Sequence, residues 1–134
     1  MSKVEDLKRV EETGIVAVVR AENAEKALKI TEAVKKGGID AIEITMTVPG
    51  AVDVIKQITD EYSRDEILIG AGSVLDAETA RACILAGAEY IVSPSLDEET
   101  IAMCNRYQKA VMPGAMSVTE VVKAMKYGAD IVKV

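Results

Sequence analysis

Apolar, mostly β-branched residues gather in six short runs along the chain, at 15–19, 41–45, 67–69, 90–92, 110–112 and 131–134. They recur roughly every 20–26 residues, the spacing of strands that alternate with helices. Between the runs the period changes from two to nearly four. Apolar positions fall at Ala24, Ala27, Leu28, Thr31 and Val34, and again at Val52, Ile55 and Ile58, the stripe of an amphipathic helix. Lys36-Gly37-Gly38, Ala86-Gly87-Ala88 and Tyr127-Gly128-Ala129 each put glycine where a left-handed C-cap would stop such a helix. A mixed acidic and basic stretch near residues 3–12 predicts one more helix ahead of the first strand. The pattern therefore predicts six strands with five helices between them.

Strands joined through helices lie parallel, with right-handed crossovers. Two architectures accept this alternation, an open doubly wound sheet and a closed barrel. Polar or special residues follow nearly every predicted strand at its C-terminal end: Arg20, Thr45 with Thr47, Gly70-Ala71-Gly72-Ser73, Ser93-Pro94 and Pro113-Gly114. A (β/α)8 barrel builds its active site from several strand ends on that rim. The expected architecture is thus an α/β (β/α)8 TIM barrel with about six of its eight units present, forming one domain over residues 1–134.

Composition narrows the chemistry. With 134 residues, 49% hydrophobic and 28% charged, the chain can bury the core of one globular unit. It has no apolar run long enough to span a bilayer, and Met1-Ser2-Lys3-Val4-Glu5-Asp6 lacks the apolar stretch of a signal peptide, so the expected location is the cytoplasm and no membrane partner is expected. Cys83 and Cys104 fall in helical segments and read as packed thiols of a reducing compartment. A formal charge of −6 without a basic cluster argues against nucleic acid as a partner, but leaves small phosphorylated substrates open. The chain has no histidine, which removes serine–histidine and cysteine–histidine catalysis and most zinc sites. Chemistry has to rest on Lys, Glu, Asp, Arg, Tyr or hydroxyl groups.

Two predicted strands carry a charge that an apolar strand should exclude. Glu43 sits in Ala41-Ile42-Glu43-Ile44-Thr45 and Lys133 in Asp130-Ile131-Val132-Lys133-Val134. Alternation turns Ile42 and Ile44 toward helices and Glu43 into the barrel, where an acid among strand ends is a proton-transfer candidate or half of a structural ion pair. Lys133 shares a face with Ile131; facing inward, its amine would be desolvated and become a Schiff-base nucleophile, while beside a chain terminus it would be a solvated end. Arg20 either clamps a carboxylate with its planar fork or pairs with a surface acid. Gly70-Ala71-Gly72-Ser73 reads as a tight strand-to-helix turn open to a ligand. Lys35-Lys36 and Glu98-Glu99 read as solvated helix faces, and Tyr62, Tyr90, Tyr107 and Tyr127 as packing residues.

Six motifs in order, Ile15-Val16-Ala17-Val18-Val19-Arg20, Ile42-Glu43-Ile44-Thr45-Met46-Thr47-Val48-Pro49, Gly70-Ala71-Gly72-Ser73-Val74, Ile91-Val92-Ser93-Pro94, Met112-Pro113-Gly114 and Ile131-Val132-Lys133, resemble those of the KDPG/KHG aldolase family. That resemblance implies a lyase without metal or cofactor, cleaving 2-keto-3-deoxy-6-phosphogluconate or 4-hydroxy-2-oxoglutarate to pyruvate plus an aldehyde. It implies Lys133 as the Schiff-base nucleophile, Glu43 as general acid/base, Arg20 at a carboxylate-binding position, and Thr45, Ser73 and Pro94 lining the pyruvate pocket. Ser73 stands where threonine is usual and keeps the hydroxyl. Thr47 stands where some members have arginine, which leaves the choice between phosphorylated and shorter 2-keto acids open. A homotrimer is implied for the full barrel. Family members continue past the lysine with a Phe-Pro segment, two more strand–helix units and a phosphate-binding loop, so the expectation is a fragment. Two other readings compete: an inactive barrel fragment or structural module, and a phosphosugar-binding or isomerising barrel that uses Glu43 without requiring Lys133.

Overall fold

The computed structural model describes residues 2–134. Helix α1 (Lys3–Thr13) comes first, and five strand–helix units follow: β1 (Ala17–Val19) with α2 (Ala24–Lys36), β2 (Ala41–Thr45) with α3 (Ala51–Glu61), β3 (Leu68–Gly72) with α4 (Ala77–Leu85), β4 (Tyr90–Val92) with α5 (Glu98–Arg106), and β5 (Ala110–Met112) with α6 (Val118–Tyr127). Side chains of Ser2, Asn23, Asp76, Asp97 and Ser117 cap the N-termini of α1, α2, α4, α5 and α6, accepting from otherwise orphaned backbone amides. Gly38, Gly87 and Gly128 take left-handed φ values of 92°, 111° and 90° just past their helices, as the glycine pattern predicts.

All pairings are parallel, and the strands lie in the order β1-β2-β3-β4-β5. That order decides between the two architectures. A doubly wound sheet reverses direction at a switch point, whereas right-handed crossovers that always step the same way put every helix on one face and curl the sheet toward a barrel. The outer face carries Ile42, Ile44, Ile69, Ala71, Ile91 and Val111, buried under the helices. The inner face carries Leu68, Tyr90, Val92, Ala110 and Met112, and α1 plugs its lower end with Leu7 and Val10.

Three expected elements differ. The first strand is shorter than 15–19, and Ile15 is 57% exposed ahead of it. The third is longer than 67–69: Gly70-Ala71-Gly72 is not a turn but the second half of β3, held in register by β2 through Glu43↔Gly70 and Thr45↔Gly72. The sixth run forms no strand. A single parallel bridge joins Lys133 to Gly114, with the Lys133 amide donating to the Pro113 carbonyl at 2.9 Å and the Ala115 amide donating to the Lys133 carbonyl at 2.9 Å.

Candidate active site

Glu43 is the middle residue of β2, between two isoleucines that face the helices, and its carboxyl enters the concave side of the sheet. The neighbouring strand makes room for it. A Cβ at position 72 would lie 1.6 Å from Glu43 Oε1, and a Cβ at position 70 would lie 2.2 Å from the Tyr90 ring. Both glycines are therefore interior space rather than flexibility, which is why a Gly-Ala-Gly segment occurs inside a strand. Glu43 is only 4% exposed and makes no hydrogen bond or ion pair to any described residue. Burial raises its carboxyl above the ordinary glutamate range, and the charges of Lys133 and then Arg20 pull it partly back.

Those two cations act on Glu43 through charge, from different strand ends. Arg20 is the residue after β1, exposed at its C-terminal end, and Lys133 stands beyond β5 on the bridge to Gly114. Lys133 is not the desolvated amine that strand alternation predicts. It is exposed, as is Ile131 at 39%, because one bridge rather than a paired strand holds the segment, and no strand flanks its other side among the described residues.

The remaining predicted residues occupy the same rim. Thr45 ends β2, fully buried; its hydroxyl donates to the Val19 carbonyl at 3.4 Å and lies 2.6 Å from the Thr47 hydroxyl, which is exposed. Ser73 follows β3 with a φ of 56°, a left-handed conformation that turns the chain sharply out of the strand. Pro94 follows β4, and its carbonyl sits so close to Gly114 that a Cβ there would come within 2.2 Å of it. No hydrogen bond joins Ser73 or Pro94 to Glu43 or Lys133 among the described residues. What converges electrostatically is Glu43, Lys133 and Arg20.

Two buried polar groups do more than the sequence assigns them: Tyr90, expected as a packing residue, and Ser93, named only as part of the strand-end rim. Tyr90 is buried completely with its hydroxyl unpartnered, and the hydroxyl of Ser93, at the end of β4, is likewise buried without a hydrogen bond. The phenol of Tyr90 is pushed far above its ordinary range by burial and then by the charge of Glu43. The available signal was positional: a tyrosine two residues before Val92 on the inward face, in register with Gly70. Among the described residues no three acidic or thiol side chains converge as metal ligands. A buried carboxyl, a primary amine and a guanidinium suit proton transfer beside a carbonyl substrate.

The family model for KDPG and KHG aldolase matches residues 7–134. The chain belongs to this family. A 2-dehydro-3-deoxy-phosphogluconate aldolase of Treponema pallidum is 33% identical over 124 residues, covering 92% of this chain and 58% of that protein. A 2-dehydro-3-deoxy-6-phosphogalactonate aldolase of Escherichia coli is 35% identical over 120 residues, covering 90% and 58%. Among solved structures, the KDPG aldolase of Legionella pneumophila, with pyruvate captured at low pH as a covalent carbinolamine intermediate, superposes with a TM-score of 0.77 at 27% identity, over 86% of this chain and 55% of that one. The aldolase-family chain thus spans little more than half the length of these relatives, and its α/β fold is the corresponding part of their barrel.

Proposed function

We propose that this chain carries the core of a class I aldolase site, cleaving 2-keto-3-deoxy-6-phosphogluconate and/or 4-hydroxy-2-oxoglutarate to pyruvate and an aldehyde. The observation that carries the reading is Glu43, a buried and unpaired carboxyl under the joint pull of Lys133 and Arg20. An uncompensated carboxylate in a barrel interior costs several kcal/mol, an arrangement retained where proton transfer needs it. The carbinolamine trapped in the Legionella relative supports the same chemistry here.

In this reading the free amine of Lys133 adds to the keto carbon, and loss of water leaves an iminium. The Glu43 carboxylate takes the proton of the aldol hydroxyl as the carbon–carbon bond breaks. The bond's electron pair flows into the iminium, giving an enamine and releasing the aldehyde. Glu43 then returns the proton to the enamine carbon, and water hydrolyses the resulting iminium to pyruvate and Lys133. Arg20 binds the substrate carboxylate through its fork. Thr45 and Thr47, already hydrogen-bonded to each other, line the pocket with Ser73 and Pro94. A homotrimer in the cytoplasm is the proposed setting.

Borohydride reduction in the presence of pyruvate, followed by intact and peptide mass spectrometry, tests this. The expected product is the 14.3 kDa chain bearing one reduced pyruvate adduct on Lys133, absent from Lys133→Arg. An unmodified chain, or an adduct on another lysine, overturns the reading.

A further inference from the structure

Tyr90 is an expensive choice for a packing residue. Its side chain is entirely buried on the inner face of the sheet, where phenylalanine would fill the same space, yet its hydroxyl has no protein hydrogen-bond partner. A buried hydroxyl without a partner costs roughly 1–3 kcal/mol. The sheet also gives up two side chains around it. Position 70 is glycine because the ring tip of Tyr90 occupies the space of its Cβ, and position 72 is glycine because the carboxyl of Glu43 occupies the next such space.

Positions 70 and 72 are neighbours on one face of β3, about 7 Å apart. The phenol tip and the carboxyl thus lie side by side in the same interior, the hydroxyl buried without a partner and the carboxyl with no hydrogen bond to a described residue. They make no direct hydrogen bond, and a single ordered water accepting from the phenol and donating to the carboxyl would satisfy both. Glu43 raises the phenol further above its ordinary range, so the hydroxyl stays protonated at working pH and can act only as a neutral donor toward the carboxylate. The other charges facing Glu43 are Lys133 and Arg20, while α1 packs the interior from below with apolar Leu7 and Val10.

We propose that Tyr90 is a positioning residue whose hydroxyl, through one buried water, holds the Glu43 carboxyl in its proton-transfer orientation and stabilises its ionised form. The inference rests on the reading of Glu43 as the general acid/base, but its test does not depend on turnover. Tyr90→Phe removes only the oxygen. In the full 134-residue chain labelled with carboxyl-¹³C glutamate, the Glu43 resonance is the one missing from Glu43→Gln. Its titration midpoint should rise in Tyr90→Phe by about half a pH unit, a threefold change in ionisation constant, because a donor to the charged form has been lost. A midpoint unchanged between the parent chain and Tyr90→Phe, at equal helical content, overturns the proposal. Failure of the aldolase reading would register differently: Glu43→Gln would leave pyruvate proton exchange intact, whatever the Tyr90→Phe titration does.

Discussion

The two most deeply buried carboxyls of the molecule, Asp6 and Glu43, lie toward opposite ends of the barrel and are treated in opposite ways. Asp6, 1% exposed, receives the Arg64 guanidinium on both oxygens, and Arg64 also reaches Glu89 at 3.2 Å, which Lys109 holds in turn. On the same helix, Lys3 pairs with Asp130 at 2.8 Å and Arg9 with Asp40 at 2.6 Å. Each partner lies just ahead of a strand or of the Lys133 bridge, so three side chains of α1 tie the entrances of the sheet together. In the middle of β2, beneath the C-terminal rim, Glu43 is 4% exposed and has no such partner among the described residues. Pairing the charges below and leaving one carboxyl uncompensated above is the division between stability and chemistry expected of a barrel. Burial raises both carboxyls, but at Asp6 a paired guanidinium opposes it directly, and at Glu43 only more distant cations do.

The sharpest break of this comparison is Glu43→Gln. If the upper carboxyl serves chemistry, pyruvate proton exchange should fall by about 10²–10⁴-fold, while the fold gains stability at neutral pH. The sign follows from linkage. A carboxyl whose folded pKa is raised contributes stability that is fully present below its unfolded value near 4.5 and is lost as pH rises through the folded value. The glutamine chain escapes that loss, so urea unfolding should show it more stable than the parent at pH 7, with the gap closing toward pH 4.5. A glutamine chain less stable than the parent at pH 7 would remove the contrast with Asp6.

Arg64→Met breaks the other side. It leaves Asp6 and Glu89 partly desolvated without their shared cation, which should cost about 3 kcal/mol in urea unfolding. Adding Asp6→Asn should restore much of it, since the charge left stranded is then gone. Borohydride trapping per folded molecule should not change. A chain that loses imine formation while folded would mean that the lower network reaches the rim.

How much of this was legible beforehand depends on the range of the interaction. Strands 41–45, 90–92 and 110–112 have the predicted bounds because period and β-branching are local properties of the chain. Glu43 stood out for the same reason, a charge inside an apolar strand. Residues 70–72 misled because glycine signals a turn locally, whereas its cause here is the Tyr90 ring and the Glu43 carboxyl, both on other strands and distant in sequence. Lys133 allowed two readings, an inward desolvated amine or a solvated one; the first needs a paired strand, and one bridge does not supply it. Ion pairs such as Arg64–Asp6 join residues 58 apart and leave no pattern in either segment.

The smallest effect sharpens the comparison by removing the idea that ion pairs as such stabilise this chain. Helix α2 carries Lys29–Glu25 and Lys36–Glu32 pairs at 2.6 Å, four residues apart and with side chains at least half exposed. Their geometry is as good as that of Arg9–Asp40, yet water already solvates both partners, and fixing two long side chains costs entropy. Lys29→Ala should therefore change the urea unfolding free energy by no more than about 0.5 kcal/mol, with alanine's helix propensity offsetting part of even that. Arg64→Met should exceed it severalfold at the same ionic strength. If the two substitutions cost the same, burial is not what distinguishes the network under the barrel, and the opposition between its lower and upper ends would reduce to a difference in where charges happen to fall.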